Sequence, residues 1–216
     1  MIERIVCGKV NCYIVGEPGR CTLVDTATEM YFDRLYARAA AAGVKLIVLT
    51  HGHYWHVGGA AKLSAALGVP LGMHSADVPL LTDPEAQPMS ADSLVGRVML
   101  RLSKRDMRRK IPPFVPTVDL VDGLDLEAFG ASGTVYGLRG HTYGSVGVLY
   151  ENVLIAGDAA SNFFSPCRAK SYADRAAADA SYERIKQDSR ITTVFAAHGR
   201  PIFFDRPRPV MTPVAD

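Results

Sequence analysis

The sequence has no apolar run near the roughly 20 residues that cross a bilayer, so no membrane span is expected in its 216 residues. The opening residues, Met1-Ile-Glu-Arg-Ile-Val6, lack the basic-then-apolar pattern of a signal peptide. Together these absences predict a soluble, cytoplasmic protein. Cysteine is sparse, limited to Cys7, Cys12, Cys21 and Cys167. No two of them form a C-x-x-C pair, which weakens zinc-finger and thioredoxin-like readings. Three lie on apolar N-terminal segments and read as buried, reduced thiols. Neither sign of charge dominates, since 24 basic and 22 acidic residues leave a net charge of +2. The chain as a whole thus gives no electrostatic case for a nucleic-acid or membrane partner. Tryptophan occurs once, at position 55.

What is present is a globular composition, with 48% hydrophobic and 21% charged residues. That balance supports a sizeable core, and the length suits one α/β domain over residues 1–216. Strands are expected at 4–7, 11–15 and 21–25, with Gly and Pro punctuating 16–19. The spacing predicts a helix over 28–42, with Met30, Leu35 and Ala39 inward and Gly43 just past its end. Lys45-Leu-Ile-Val-Leu-Thr50 reads as a strand covered on both faces. A helix at 59–67 and a strand at 70–74 follow. A long helix is expected over 90–110, stopped by Pro112 and Pro113. Further strands are expected at 117–121, 133–137, 145–150, 152–156 and 192–196, with a helix over 172–187 carrying Tyr182 and Ile185. The Pro-rich tail, 207–216, reads as irregular. Strand runs alternating with helices suggest sheets inside and helices outside.

Histidine carries the chemistry. His51, His53 and His56 follow the apolar strand that ends at Thr50. His141, His198 and the carboxylate of Asp158 each follow another expected strand. Open α/β sheets gather ligands at that edge, and neutral imidazole suits zinc or iron. Glycines beside these residues let the backbone bend tightly around such a site. His74 lacks this context and reads as structural.

These motifs resemble the metallo-β-lactamase superfamily, most closely its glyoxalase II-like (hydroxyacylglutathione hydrolase-like) branch. The family motif H-x-H-x-D-H followed by V-G-G stands here as His51-Gly-His53-Tyr-Trp55-His56-Val-Gly-Gly59. Asp25 in Val24-Asp-Thr26, His141 in Gly-His-Thr-Tyr-Gly-Ser145, Asp158 in Gly-Asp and His198 in His-Gly complete the pattern. The resemblance implies a four-layer αββα fold and a metal-dependent hydrolase of an ester, thioester or lactam-type bond. It implies one or two zinc ions, with iron as an alternative. His51, His53 and His141 match the first metal's ligands. His56 and His198 match ligands of the second, and Asp158 matches the bridging carboxylate. Asp25 matches a structural acid below the site.

Trp55 departs from the pattern, because it occupies the place of the motif aspartate. Indole offers one N–H donor and no usable acceptor, so it cannot ligate. Three readings follow. The first site survives as a three-histidine hydrolytic centre with the second weakened. A mononuclear iron site forms from His51, His141 and Asp158, as in persulfide dioxygenases. Or Trp55 fills the second site, and the protein binds metal or ligand with impaired catalysis.

Tyr143, Asn162 and Phe163 follow metal motifs directly and, with Trp55, are candidate substrate-binding residues; Phe164 lies beside them. The basic stretch Arg97, Arg101, Lys104, Arg105, Arg108, Arg109 and Lys110 is interleaved by Leu94, Val98, Leu102 and Ile111. It reads as a solvated helix with one core face, or as a guanidinium-rich wall for a small anionic substrate. Without interleaved aromatics it does not favour nucleic acid.

Overall fold

The computed structural model describes residues 1–205; the expectation for the 207–216 tail lies outside them. Three antiparallel-linked strands open the fold: β1 (Ile2–Cys7), β2 (Val10–Val15) and β3 (Cys21–Val24). A 3-10 turn, Glu29–Tyr31, leads into α1 (Phe32–Ala42), which ends at left-handed Gly43. Then come β4 (Val44–Val48), the short α2 (Tyr54–Val57), α3 (Ala60–Leu67) and β5 (Leu71–Met73). α4 (Leu94–Met107) and β6 (Val118–Asp119) precede β7 (Thr134–Gly137), β8 (Val146–Tyr150) and β9 (Val153–Ile155). A two-stranded ribbon, β10 (Ala160–Ser161) with β11 (Cys167–Arg168), leads to α5 (Arg175–Gln187), β12 (Thr193–Phe195) and β13 (Ile202–Phe203).

β1 to β6 form one sheet in sequence order, parallel from β3 onward. The second sheet has the order β13-β12-β9-β8-β7. Period-two alternation decides which side chain goes where. Tyr13, Val15, Val24, Leu46 and Val48 meet Val135, Val146, Val148 and Ile155 between the sheets. Their neighbours Cys12, Ile14, Leu23 and Ile47 face the other way and pack with Leu35, Ala39 and Leu63 of α1 and α3. On the far side, Leu138, Leu154 and Val194 pack with Ile185 of α5. The result is the four-layer αββα sandwich. Cys7, Cys12 and Cys21 are buried and free, as expected, while Cys167 is partly exposed.

Two expectations of inward-facing residues are corrected. Met30 lies on the 3-10 turn before α1 and is 84% exposed, because the tighter winding rotates it off the stripe of Leu35 and Ala39. In α4 the buried side carries Gly96 and Leu100. Leu94, Val98 and Leu102 face outward, with exposures of 77%, 51% and 73%. α5 also starts later than its pattern suggests. Asp174 caps it by accepting from the Ala177 amide, and Tyr172 pairs across to Ser90 instead.

Candidate metal centre

Topology brings the histidines together. β7 and β9 are both antiparallel to β8, and β12 is parallel to β9. β7, β9 and β12 therefore end at one edge, delivering His141, Asp158 and His198. The loop after β4 adds His51, His53 and His56, and the Val146 amide donates to the Thr50 carbonyl at 2.9 Å to join the sheets there.

Two groups have ligand atoms within 4.8 Å of one another: His51, His53 and His141; and His51, His56 and Asp158. His198 adjoins through Asp158, with its Nε2 3.2 Å from Oδ1. Asp158 also lies 3.6 Å from Nε2 of both His56 and His141. The carboxylate thus stands between the groups.

The outer nitrogen of four rings is committed. His141 Nδ1 donates to the Ser171 carbonyl at 2.8 Å and His198 Nδ1 to the Lys9 carbonyl at 2.6 Å. His56 Nδ1 donates to Asp25 Oδ2 at 2.7 Å. His51 Nδ1 lies 3.1 Å from Thr50 Oγ1, whose own proton goes to Asp25 Oδ2 at 2.9 Å. A carbonyl or carboxylate can only accept, and the Thr50 hydroxyl has already given its proton to Asp25, so these partners hold a proton on each Nδ1 and turn each Nε2 inward. Asp25 holds its place by an unusual backbone, with φ at +62°, a region aspartate tolerates better than most residues.

The donor set fits a cation. His51 Nε2 and His53 Nε2 are buried without a hydrogen-bond partner, an expensive arrangement unless an ion completes it, and Asp158 Oδ1 faces only the His56 and His198 imidazoles. Burial, and then neighbouring imidazoles, push the pKa of His51 and His53 well below the usual histidine value. Burial lowers His141 too. These rings are therefore neutral, as ligands must be. For Asp158, burial works against ionisation, but His198 and His56 override it and hold the carboxyl well below its usual range.

His198 behaves differently: burial opposes its charge, yet Asp158 raises its pKa to about 9. In metal-free protein, this proton contributes stability that is complete below the unfolded value near 6.5 and lost as pH rises through 9. A cation must displace the same proton. Its apparent affinity at the His198 side is expected to rise about tenfold from pH 7 to pH 8. Metal titrations of chelator-stripped protein check this, and a pH-independent affinity would show that His198 takes no part.

Gly157, just before Asp158, has φ +53°, and a Cβ there would meet Thr50 Oγ1 at 2.6 Å. Gly157→Ala is expected to lower stability by about 1–3 kcal/mol and to reduce metal content as Thr50 leaves Asp25. Denaturant unfolding with metal analysis reads both.

The remaining sequence candidates lie around this centre with different roles. Phe163 stacks on His198, with ring centroids 6.2 Å apart. Trp55 packs edge-on against Tyr54. Lys9 Nζ lies 5.2 Å and the Arg109 guanidinium 5.9 Å from the indole centroid, which puts one residue of the basic stretch beside Trp55. The Asn162 amide donates to the Pro201 carbonyl at 2.9 Å, which ties it to the loop of His198. Tyr143 is held through its backbone amide, which donates to Gln87 Oε1 at 2.7 Å. His74 accepts from the Ala76 amide, a structural role as expected.

Sequence reasoning missed Asp77, which is fully buried. It accepts from the Gly52 amide (2.9 Å), Gln87 Nε2 (2.9 Å), Thr142 Oγ1 (2.7 Å) and the Gly144 amide (2.7 Å). One carboxylate thereby fastens the His51–His53 loop to the His141 loop. A signal existed: Asp77 follows β5, parallel to β4, at the same strand-end position as the histidines.

The metallo-β-lactamase superfamily profile matches residues 5–198. The chain belongs to this superfamily. It is 29% identical over 126 residues to a probable metallo-hydrolase, YflN, of Bacillus subtilis, covering 54% of this chain and 44% of that protein. It thus matches less than half of that relative's length. Among solved structures it is similar to the metallo-β-lactamase family protein TTHA1429 of Thermus thermophilus. That match has 26% identity and a TM-score of 0.66, and covers 94% of this chain and 74% of that one. It is also similar to TTHA1623, solved in a di-iron-bound form, with 25% identity, a TM-score of 0.64 and coverage of 93% and 94%. Membership of this superfamily accords with a His/Asp cluster whose residues could hold metal ions. No described helix is long and apolar enough to cross a membrane.

Proposed function

We propose that the protein hydrolyses an ester, thioester or lactam-type bond in a small anionic substrate, in the manner of the glyoxalase II-like branch, with zinc as its metal. The observation that carries this reading is the ring of inward-facing Nε2 atoms around Asp158, each with its Nδ1 tied elsewhere. His51, His53 and His141 would hold one ion; His56, His198 and Asp158 would hold a second. A divalent ion supplies Lewis acidity, making water a competent nucleophile near neutral pH and polarising the carbonyl under attack.

The chain's own groups do the rest. Asp158 stays anionic and accepts hydrogen bonds, so it can orient an attacking water. Lys9 and Arg109 beside Trp55, and Lys170 Nζ 5.1 Å from the Phe163 centroid, flank the centre with paired cations and aromatic faces. Such pairs favour a substrate with an anionic group and a flat or apolar body.

A second reading takes iron as the metal, which TTHA1623 holds in its di-iron-bound form. On this reading His51, His141 and Asp158 would hold a single iron and the reaction would be persulfide oxygenation. Chelator-stripped protein reloaded with zinc or with iron, assayed on ester, thioester, lactone and β-lactam substrates, separates the two. Hydrolysis lost with chelator and restored by zinc supports the proposal. Oxygen uptake with glutathione persulfide by the iron form alone moves the assignment to the second reading. No turnover by either form rejects both and leaves a metal-binding protein with impaired catalysis.

A further inference from the structure

A net charge of +2 averages away the most asymmetric surface of the molecule. From residue 97 to 110 the chain carries seven cations, Arg97, Arg101, Lys104, Arg105, Arg108, Arg109 and Lys110, against the single acid Asp106. Asp106 is turned to Lys9 at 3.7 Å and Arg109 at 3.0 Å. All seven cations are exposed.

α4 already has a face packed on the body. Leu100 is buried, and a Cβ at Gly96 would lie 3.3 Å from the Lys170 carbonyl. The aliphatic stripe of Leu94, Val98 and Leu102 is therefore additional to its core face. These residues recur every four positions, so they line one side of the outer surface. Arg97, Arg101 and Lys104 line the adjoining side with Arg108, which is already ion-paired with Glu85, and Arg105 lies within the stripe.

We infer that the outer face of α4 docks on an anionic lipid bilayer surface, with Leu94, Val98 and Leu102 entering the headgroup–acyl boundary and the flanking cations pairing with lipid phosphates and carboxylates. Charge complementarity selects this occupant. A second copy meeting the first through α4 would bring arginine against arginine about a two-fold axis. Nucleic acid would press its phosphates onto the three aliphatic side chains and find no aromatic face among the cations. A lipid surface satisfies both halves of the face at once. Such contacts are weak singly and add along the helix.

The full chain, metal-loaded, is floated with phosphatidylcholine vesicles carrying about one third phosphatidylserine, and with pure phosphatidylcholine vesicles. Flotation is expected with the anionic vesicles, falling about tenfold or more without phosphatidylserine or at high salt. The double variant Arg97→Glu/Arg101→Glu is expected to lose about tenfold or more in vesicle affinity. Leu102→Ser is expected to lose about threefold to fivefold. Both variants alter only exposed side chains, and unchanged circular dichroism and metal content verify the fold. No flotation, equal flotation on neutral vesicles, or variants that float as well as the parent overturns the assignment. Light scattering that shows a dimer dissociated by Leu102→Ser, without flotation, gives the face to a second copy and also overturns it.

Discussion

Asp77→Asn is expected to weaken metal retention by about 10- to 100-fold, the scale on which hydrogen-bond partners behind metal ligands act. The amide keeps the shape of the carboxylate but turns one acceptor into a donor. Each Asp77 oxygen takes two donors: Gly52 and Thr142 on one, Gln87 and Gly144 on the other. Whichever oxygen becomes NH2 then faces a backbone N–H that cannot turn away. A buried mismatch of this kind is worth about 1–3 kcal/mol of stability. The displaced strands of chain are those between His51 and His53 and beside His141, so the three-histidine group should loosen first. Competition with a chelator of known affinity measures the effect. Metal affinity equal to the parent, with only the melting temperature lowered, would make Asp77 a packing residue with no hold on the site.

Trp55→Asp is expected to raise metal content and hydrolytic rate together, the rate by roughly 10-fold or more, the scale of one positioned catalytic group. The position follows His53 by two residues on α2, within the loop that supplies three histidines. A carboxylate there adds a ligand and a negative charge, and two close dications repel less when more anionic groups surround them. As it stands, the indole gives this position to Lys9 and Arg109, which add positive charge beside the cluster. Trp55→Phe separates the two causes, since it keeps an aromatic face without supplying a ligand and should show no gain. Unchanged metal occupancy and unchanged kinetics in Trp55→Asp would assign the residue to packing.

Much of this architecture is legible in the sequence because apolar patterning writes it plainly. The unbroken apolar runs Cys12-Tyr-Ile-Val15 and Leu46-Ile-Val-Leu49 mark strands covered on both faces of one sheet. The strand-end positions of the histidines then follow from chain direction alone. α4 is where periodicity misleads. Its aliphatic stripe satisfies the helical pattern but points outward, because Gly96 lets the opposite side approach the Lys170 backbone. The short pieces, β10, β11 and β13, have two residues each and leave no periodic trace. Asp77 shares the strand-end position of the histidines, but its role is harder to read: its partners are 10 to 67 residues away, and a lone acid on a 3-10 turn carries no mark of what it will bind.

The bond from His198 to the Lys9 carbonyl joins residues 189 positions apart, and that separation sets an order of events during synthesis. Chains emerge from their N-terminus, so His51, His53 and His141 are all translated before Asp158 and His198 exist. The hairpin turn at Lys9 must wait for nearly the whole chain before its carbonyl finds its partner. Such long loops close late and slowly. His141 depends in turn on the Ser171 carbonyl, so the three-histidine group is not held in place until residues beyond Asp158 have been made, and the whole centre closes only as the last strands settle against the first hairpin.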